Sequence, residues 1–297
     1  MMIAFLGPAG TFTETAAKNA FADLSPETFQ PMASIPAVLE AVAQGHVSAG
    51  VVPMENSIQG TVHVTIDGLL SHPRLEIVEE VLLRIEQHLM VTEQTRTDQV
   101  TEVWSHPQAL AQCRAFILDR GLCEVQFDST AAAAAELAKQ QRTDVAVIGP
   151  KSAATEHGLS VVQSDIADVS ENWTRFAVVR INRTEAALPG VAPTEKNATH
   201  EASRFAQQDK KTMLVVIPYG NFPGVLASIL NVFATLGLNL CWIESRPTRL
   251  RLGTYQFFVE IQTGTENDSL QTAISVLEAY GHGTRVLGSY ERSVVSS

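Results

Sequence analysis

Residues 48–70 read SAGVVPMENSIQGTVHVTIDGLL: a short run of small and β-branched residues ends in the polar cluster Glu55-Asn56-Ser57, ahead of a helical stretch near 60–70. A brief apolar run bounded by polar turn residues is the pattern of a buried strand. The same unit recurs outward in both directions. IAFL precedes a helix near 13–22, VTEVWS one near 107–119, CEVQF one near 130–139 and DVAVIG one near 151–157, and FAVVRI at 176–181 closes the series. Such alternation predicts an α/β fold with a mainly parallel sheet, and the number of units suggests two lobes facing a cleft.

In sheets of this kind ligands bind where strands end and helices begin, so the junction residues are the functional candidates. Gly7-Pro8-Ala9-Gly10-Thr11-Phe12-Thr13-Glu14 is a glycine-bearing turn in which Thr11 and Glu14 have capping-box spacing. It lacks the Gly-Lys-Ser/Thr ending of a nucleotide-binding loop. At the next junction Asn56, Ser57 and Thr61 are neutral hydrogen-bond donors, and Glu55 is a candidate acid or base or a helix-dipole partner. Ser105-His106-Pro107-Gln108 and Ser129-Thr130 place short polar side chains at helix starts, where they also suit N-caps. His106 reads as structural or substrate-orienting, Cys113 as core, and Lys151 as either a cation near the cleft or a solvated helix start. In Asn172-Trp173-Thr174-Arg175-Phe176 a forked cation sits beside a hydroxyl and an aromatic ring. That set suits a cyclic carboxylate; its plainer reading is a strand-edge arginine in a surface ion pair.

The 297-residue chain has 21 Lys+Arg against 32 Asp+Glu, a net charge of −11. Polyphosphate binding needs clustered cations, so no nucleic-acid partner is expected. No apolar run reaches membrane-spanning length, so no membrane partner is expected either. Cys113, Cys123 and Cys241 have no CxxC spacing and fit neither a disulfide framework nor a zinc site. With no basic residue before Lys18 and an apolar run cut at Gly7-Pro8, the N-terminus does not read as a signal peptide, and a cytoplasmic location is expected.

Charge also divides the chain. Residues 1–183 hold 12 basic and 22 acidic side chains, 184–209 hold 2 and 4, and 210–297 hold 7 and 6. The middle stretch, with two prolines and weak periodicity, reads as a linker. Beyond it KKTMLVVIPYG, LNLCWIES, TYQFFVEIQ and TRVLGSY read as strands, with helices PGVLASILNVFATLG and SLQTAISVLEAYG between them. The order βαββαβ is ferredoxin-like. Val225, Leu226, Ile229, Leu230, Val232, Phe233 and Leu236 form a core-facing stripe that Gly237 closes.

Taken together, GPAGTFTE, VPMENSIQGTV, SHPQALAQC, NWTRF and IESRP resemble the monofunctional bacterial prephenate dehydratase family with a C-terminal ACT regulatory domain. Met54 stands where such sequences commonly have Ile, and Pro223-Gly224-Val225-Leu226-Ala227 departs from the family's better-known Gly-Ala-Leu-Val. The resemblance implies a two-lobed, periplasmic-binding-protein-like catalytic domain over 1–183, with lobe one at 1–78 and 160–183 and lobe two at 79–159. It further implies a linker at 184–209 and a ferredoxin-like ACT domain over 210–297. No chorismate mutase region precedes residue 3, so a monofunctional version is expected.

The implied activity is that of a carbon–oxygen lyase converting prephenate to phenylpyruvate, water and carbon dioxide, with no cofactor and no metal. The resemblance points to Thr174 as proton donor, with Glu55 as reserve acid, Arg175 holding a substrate carboxylate and Phe176 walling the ring. Asn56, Ser57, Thr61, Ser105, Gln108, Ser129 and Thr130 are expected to line the cleft. Phenylalanine is the implied allosteric effector, bound by Asn221, Pro223, Gly224, Val225, Leu226, Glu244, Ser245, Arg246 and Pro247 in a homodimer or homotetramer. Two other readings are carried: an arogenate dehydratase, whose substrate has an amino group in place of the keto oxygen, and a non-catalytic amino-acid sensor. A nicotinamide-dependent dehydrogenase is disfavoured because no GxGxxG follows the first strand.

Overall fold

A computed structural model describes residues 1–182, 210–249 and 251–295, so the expected linker at 184–209 lies outside the described residues. The chain divides into two compact units: Met1–Pro73 with Val81–Arg180 and Ser293–Ser297, and Arg74–Glu80 with Ile181–Arg292.

The first unit runs β1 (Ile3–Leu6), α1 (Phe12–Ala20), β2 (Phe29–Met32), α2 (Ile35–Ala43), β3 (Ala49–Asn56), β4 (Gly60–Thr61) and α3 (His63–Ser71). After β5 (Leu75–Arg84), which crosses the unit boundary, come β6 (His88–Val91), β7 (Glu102–Ser105), α4 (Pro107–Gln112), α5 (Arg114–Arg120) and β8 (Cys123–Gln126). Then follow α6 (Thr130–Gln140), β9 (Val145–Gly149), α7 (Lys151–His157), β10 (Ser160–Gln163) and β11 (Trp173–Ile181).

Two sheets result. One has the order β11–β3–β1–β2, with β1 parallel to β2 and β3 and β11 antiparallel to β3. The other has the order β10–β6–β9–β7–β8, with β7 parallel to β8 and β9 and with β6 antiparallel to β9 and β10. The expectation of a mainly parallel sheet is thus corrected to two mixed sheets. The chain passes from one sheet to the other at residues 85–87 and again at 164–172. Strands entered from such a passage need no crossover helix and run in the opposite direction. β10 pairs with β6, so residues 160–163 belong to the second sheet and not to the lobe that holds β1 and β11.

Local chemistry explains the helices. Ser34 and Ser129 cap α2 and α6 by accepting from the Ala37 and Ala132 N–H groups. α2 lies directly on β3 because Gly50 has no Cβ; one there would sit 2.7 Å from Val38 and 2.9 Å from Val42. The single helix expected over 107–119 is two, broken at Cys113. Asp168 explains the break: its N–H donates to the Gln112 carbonyl at 2.7 Å, and its carboxylate accepts the Ala115 N–H at 3.2 Å. Two of the backbone groups orphaned by the break are therefore satisfied, and α4 ends at Gln112.

The second unit contains β12 (Lys211–Ile217), α8 (Val225–Thr235), β13 (Leu240–Pro247), β14 (Tyr255–Ile261), α9 (Asp268–Ala279) and β15 (Gly283–Val295). Its strand order is β13–β14–β12–β15, with β12 antiparallel to β14 and β15 and β13 antiparallel to β14. This is the ferredoxin-like arrangement read from the sequence. Ile229, Val232 and Phe233 of α8 and Leu270, Ala273 and Leu277 of α9 bury against Leu214, Val216, Val259 and Ile261. No helix among the described residues is long and apolar enough to cross a membrane.

Candidate active site

A cavity of about 620 Å³ in the first unit is lined from both sheets. Leu6, Pro53, Asn56, Thr174 and Phe176 come from the first, and His106, Gln108, Gln112, Ser129 and Thr130 from the helix layer of the second. Its size is that of a small-molecule site. Helices α1, α4 and α6 begin at its wall. Their cap residues Thr11, His106 and Ser129 accept the N–H groups of Glu14, Gln108 and Ala132. The remaining first-turn N–H groups of α1 and α6 bring partial positive charge to the wall, the arrangement that favours anions.

The α1 turn differs in detail from a reciprocal capping box. Glu14 reaches back to the Gly10 N–H at 2.5 Å, not to Thr11, and Lys18 pairs with its other oxygen at 2.8 Å. The glycine turn is further anchored by Ser152 Oγ, which donates to the Gly10 carbonyl at 3.2 Å.

The best-defined polar group in the wall is Asn56 against Thr174, a directly opposed pair on β3 and β11. Asn56 Oδ1 accepts from Ile58 N–H and Gln59 N–H, both at 3.0 Å, which fixes the amide's orientation. Its Nδ2 then donates to Thr174 Oγ1 at 2.9 Å and to Asn172 Oδ1 at 2.8 Å. Because the threonine oxygen accepts, its own proton remains available, and among the described residues it has no acceptor.

Arg175 sits differently from its expected place. Neighbouring strand residues face opposite sides, so with Thr174 and Phe176 on the cavity wall Arg175 points away from it. Its Nη1 is 2.9 Å from Glu55 Oε2, and Glu55 is likewise absent from the lining. The two residues are directly opposed across β11 and β3, one step before a register shift. Among the described residues that line the cavity there is no lysine or arginine.

Of the other candidates, Gln108, Ser129 and Thr130 line the cavity, whereas Ser57, Thr61 and Ser105 do not. Ser57 Oγ accepts the Trp173 N–H at 2.9 Å and anchors the start of β11. Ser105 is fully buried, and its Oγ donates to the Ile148 carbonyl at 2.6 Å, tying β7 to β9. Cys113 is in the core, where burial pushes its thiol up to about 12. Lys151 is exposed and outside the lining. Gln87 and Gln112 are wall residues that sequence reasoning missed. Gln112 lay inside a quoted motif, but Gln87 carries no local signal: it reaches the wall because the chain passes between sheets there. His88, next along, is buried, which depresses its pKa, and its Nδ1 accepts the Asp165 N–H at 3.3 Å.

In the second unit a cavity of about 230 Å³ is lined by Asn221 and Val225, with Tyr219, Thr248, Arg251 and Tyr255 among others. Pro223, Gly224, Leu226, Glu244, Ser245, Arg246 and Pro247 are not in that lining. Leu226 packs on the core, and Glu244–Pro247 are the end of β13. Gly224 caps α8 at φ +88° with open space around it, so conformation and not close approach explains the glycine.

Comparison with known proteins supplies independent information. The family profile described as prephenate dehydratase matches residues 3–184. A prephenate dehydratase of Bacillus subtilis is 33% identical over 98% of this chain and 99% of its own. An Arabidopsis thaliana protein named arogenate dehydratase/prephenate dehydratase 2 is 33% identical over 97% of this chain and 72% of its own. The crystal structure of the Arthrobacter aurescens prephenate dehydratase in complex with L-Phe has a TM-score of 0.81 at 32% identity, covering 98% of this chain and 90% of that one.

Proposed function

This chain belongs to the prephenate dehydratase family, and from that premise we propose how its residues share the work of converting prephenate to phenylpyruvate, water and carbon dioxide. In that reaction the bond to the ring carboxylate breaks, and its electron pair enters the ring. The ring then expels its hydroxyl as the C–O bond breaks toward oxygen. Aromatisation drives the change, so the protein has to orient the substrate and stabilise charge on the departing oxygen.

The observation that carries the assignment is the Asn56–Thr174 hydrogen bond at the cavity wall. It leaves the threonine O–H as an oriented donor for the leaving oxygen. A threonine hydroxyl is too weak an acid to protonate by itself, so Thr174 works as a hydrogen-bond donor or relay. Phe176, 2% exposed and on the same face, walls the ring. The α1 and α6 N-termini receive the two carboxylates. Arg175 acts as a positioning residue: with Glu55 it holds the register of β11 on β3 one step from Thr174. Thr174→Val against Glu55→Gln is the test. Loss of turnover in the first with retention in the second supports the assignment; the reverse makes Glu55 the acid.

Regulation by phenylalanine through an ACT-type second unit is supported by its βαββαβ order, by its separate cavity and by the relative crystallised with L-Phe. Asn221→Ala should weaken inhibition by phenylalanine while leaving turnover in its absence unchanged. Pairing of such units gives the homodimer or dimer of dimers we assign here, and three cysteines outside any disulfide suit a cytoplasmic location.

A further inference from the structure

The cavity wall contains a second amide system, formed by Gln87 in the passage between the sheets and Gln112 at the end of α4. Gln87 is 3% exposed, and its Nε2 donates to Gln112 Oε1 at 3.1 Å. The other half of each amide, Gln87 Oε1 and Gln112 Nε2, is buried with no partner among the described residues. A buried amide atom left unpaired is costly, and a cavity wall is where a ligand can supply the missing partner. The backbone holds both residues in place: the Gln87 carbonyl accepts the Ile166 N–H at 2.8 Å, and the Gln112 carbonyl accepts the Asp168 N–H at 2.7 Å. The two residues therefore bring one unpaired donor and one unpaired acceptor, both uncharged, to the wall that they line.

The two substrates open to this family differ in one polar group. Prephenate carries a side-chain ketone, which only accepts hydrogen bonds; arogenate carries an ammonium, which only donates them. We propose that the Gln87–Gln112 pair reads that group, Gln112 Nε2 donating to the ketone and Gln87 Oε1 accepting from the ammonium, and so sets the preference between the two substrates. The proposal rests on the cavity being the substrate site, as assigned above. A site built to hydrogen-bond a substrate group discriminates strongly, because the wrong group leaves its own polar atoms unpaired.

The test uses the full-length protein and the ratio of kcat/KM for arogenate to that for prephenate. Gln112→Met, close in volume, removes the donor and should raise the ratio about tenfold or more by depressing prephenate turnover. Gln87→Met removes the acceptor and should lower the ratio by a similar factor. Gln112→Glu, which retains a hydrogen-bond acceptor for Gln87, should move the ratio in the same direction as Gln112→Met. A merely structural role scales both substrates together, so an unchanged ratio in the folded variants overturns the proposal. Thr174→Val separates this outcome from failure of the site assignment: full turnover in that variant sinks the cavity reading itself, whatever the glutamine ratios show.

Discussion

The two units place their polar groups under opposite regimes. In the second, Lys211 is almost fully buried between Glu80 and Glu260, at 3.0 and 3.2 Å. Tyr290 Oη donates to Glu260 at 2.6 Å, and Arg292 Nε donates to Glu80 at 2.6 Å. Charge meets charge, and each member is held by another. The cavity wall of the first unit carries amides, hydroxyls, helix ends and, among the described residues, the single carboxylate of Asp128, with amide donors and acceptors left open. A paired buried network holds a fold together, while open polar atoms in a wall lower stability and serve a ligand. Residues 74–80 group with the second unit because β5 runs beside β15 there, and Glu80 adds its pairs with Lys211 and Arg292.

The largest expected effect breaks the first half of this comparison. Thr174→Val should lower kcat roughly 10²- to 10⁴-fold with little change in the denaturation midpoint, since one hydroxyl is lost and no charge is stranded. A steady-state assay beside a urea titration checks both. Lys211→Met should do the reverse, destabilising the second unit by about 3–5 kcal/mol because two buried carboxylates lose their shared cation. If the denaturation midpoint did not move, the network would not be the support described. Arg175→Lys keeps the charge opposite Glu55 but loses the planar fork, so kcat should fall about tenfold or less with KM nearly unchanged. A rise confined to KM would return Arg175 to carboxylate binding.

Smaller effects concern pH and thiol reactivity. Burial lowers the pKa values of His88 in the first unit and His282 in the second from 6.5. The unfolded chain therefore binds more protons than the native one just below that pH. The stability this confers is complete above 6.5 and declines as pH falls toward the folded values. His88→Gln, which retains an acceptor for the Asp165 N–H, should flatten part of that slope in denaturation midpoints measured across the range. Smallest of all, a thiol reagent should label exposed Cys123 in the native protein and spare Cys113 until unfolding, because that thiol is buried and pushed up to about 12.

Much of the fold could be read from local pattern. The α8 stripe, the Ser129 cap and the βαββαβ order are all encoded within one or two turns or strands, where 3.6- and 2-residue periods act directly. Half of the site was legible for the same reason, since caps and strand ends announce themselves. Alternation along β11 even implied that Thr174 and Arg175 face opposite ways, though family resemblance drew both toward the substrate.

What the chain by itself determined was therefore the kind of many of its elements, the family and the reaction. Tertiary structure alone decided the direction of β6 and β11, the pairing of Asn56 with Thr174 and of Gln87 with Gln112, and the place of Glu80 beside Lys211. These partners lie 118, 25 and 131 residues apart. Periodicity states which face a side chain occupies; only the closing of the chain on itself states which other side chain it meets there.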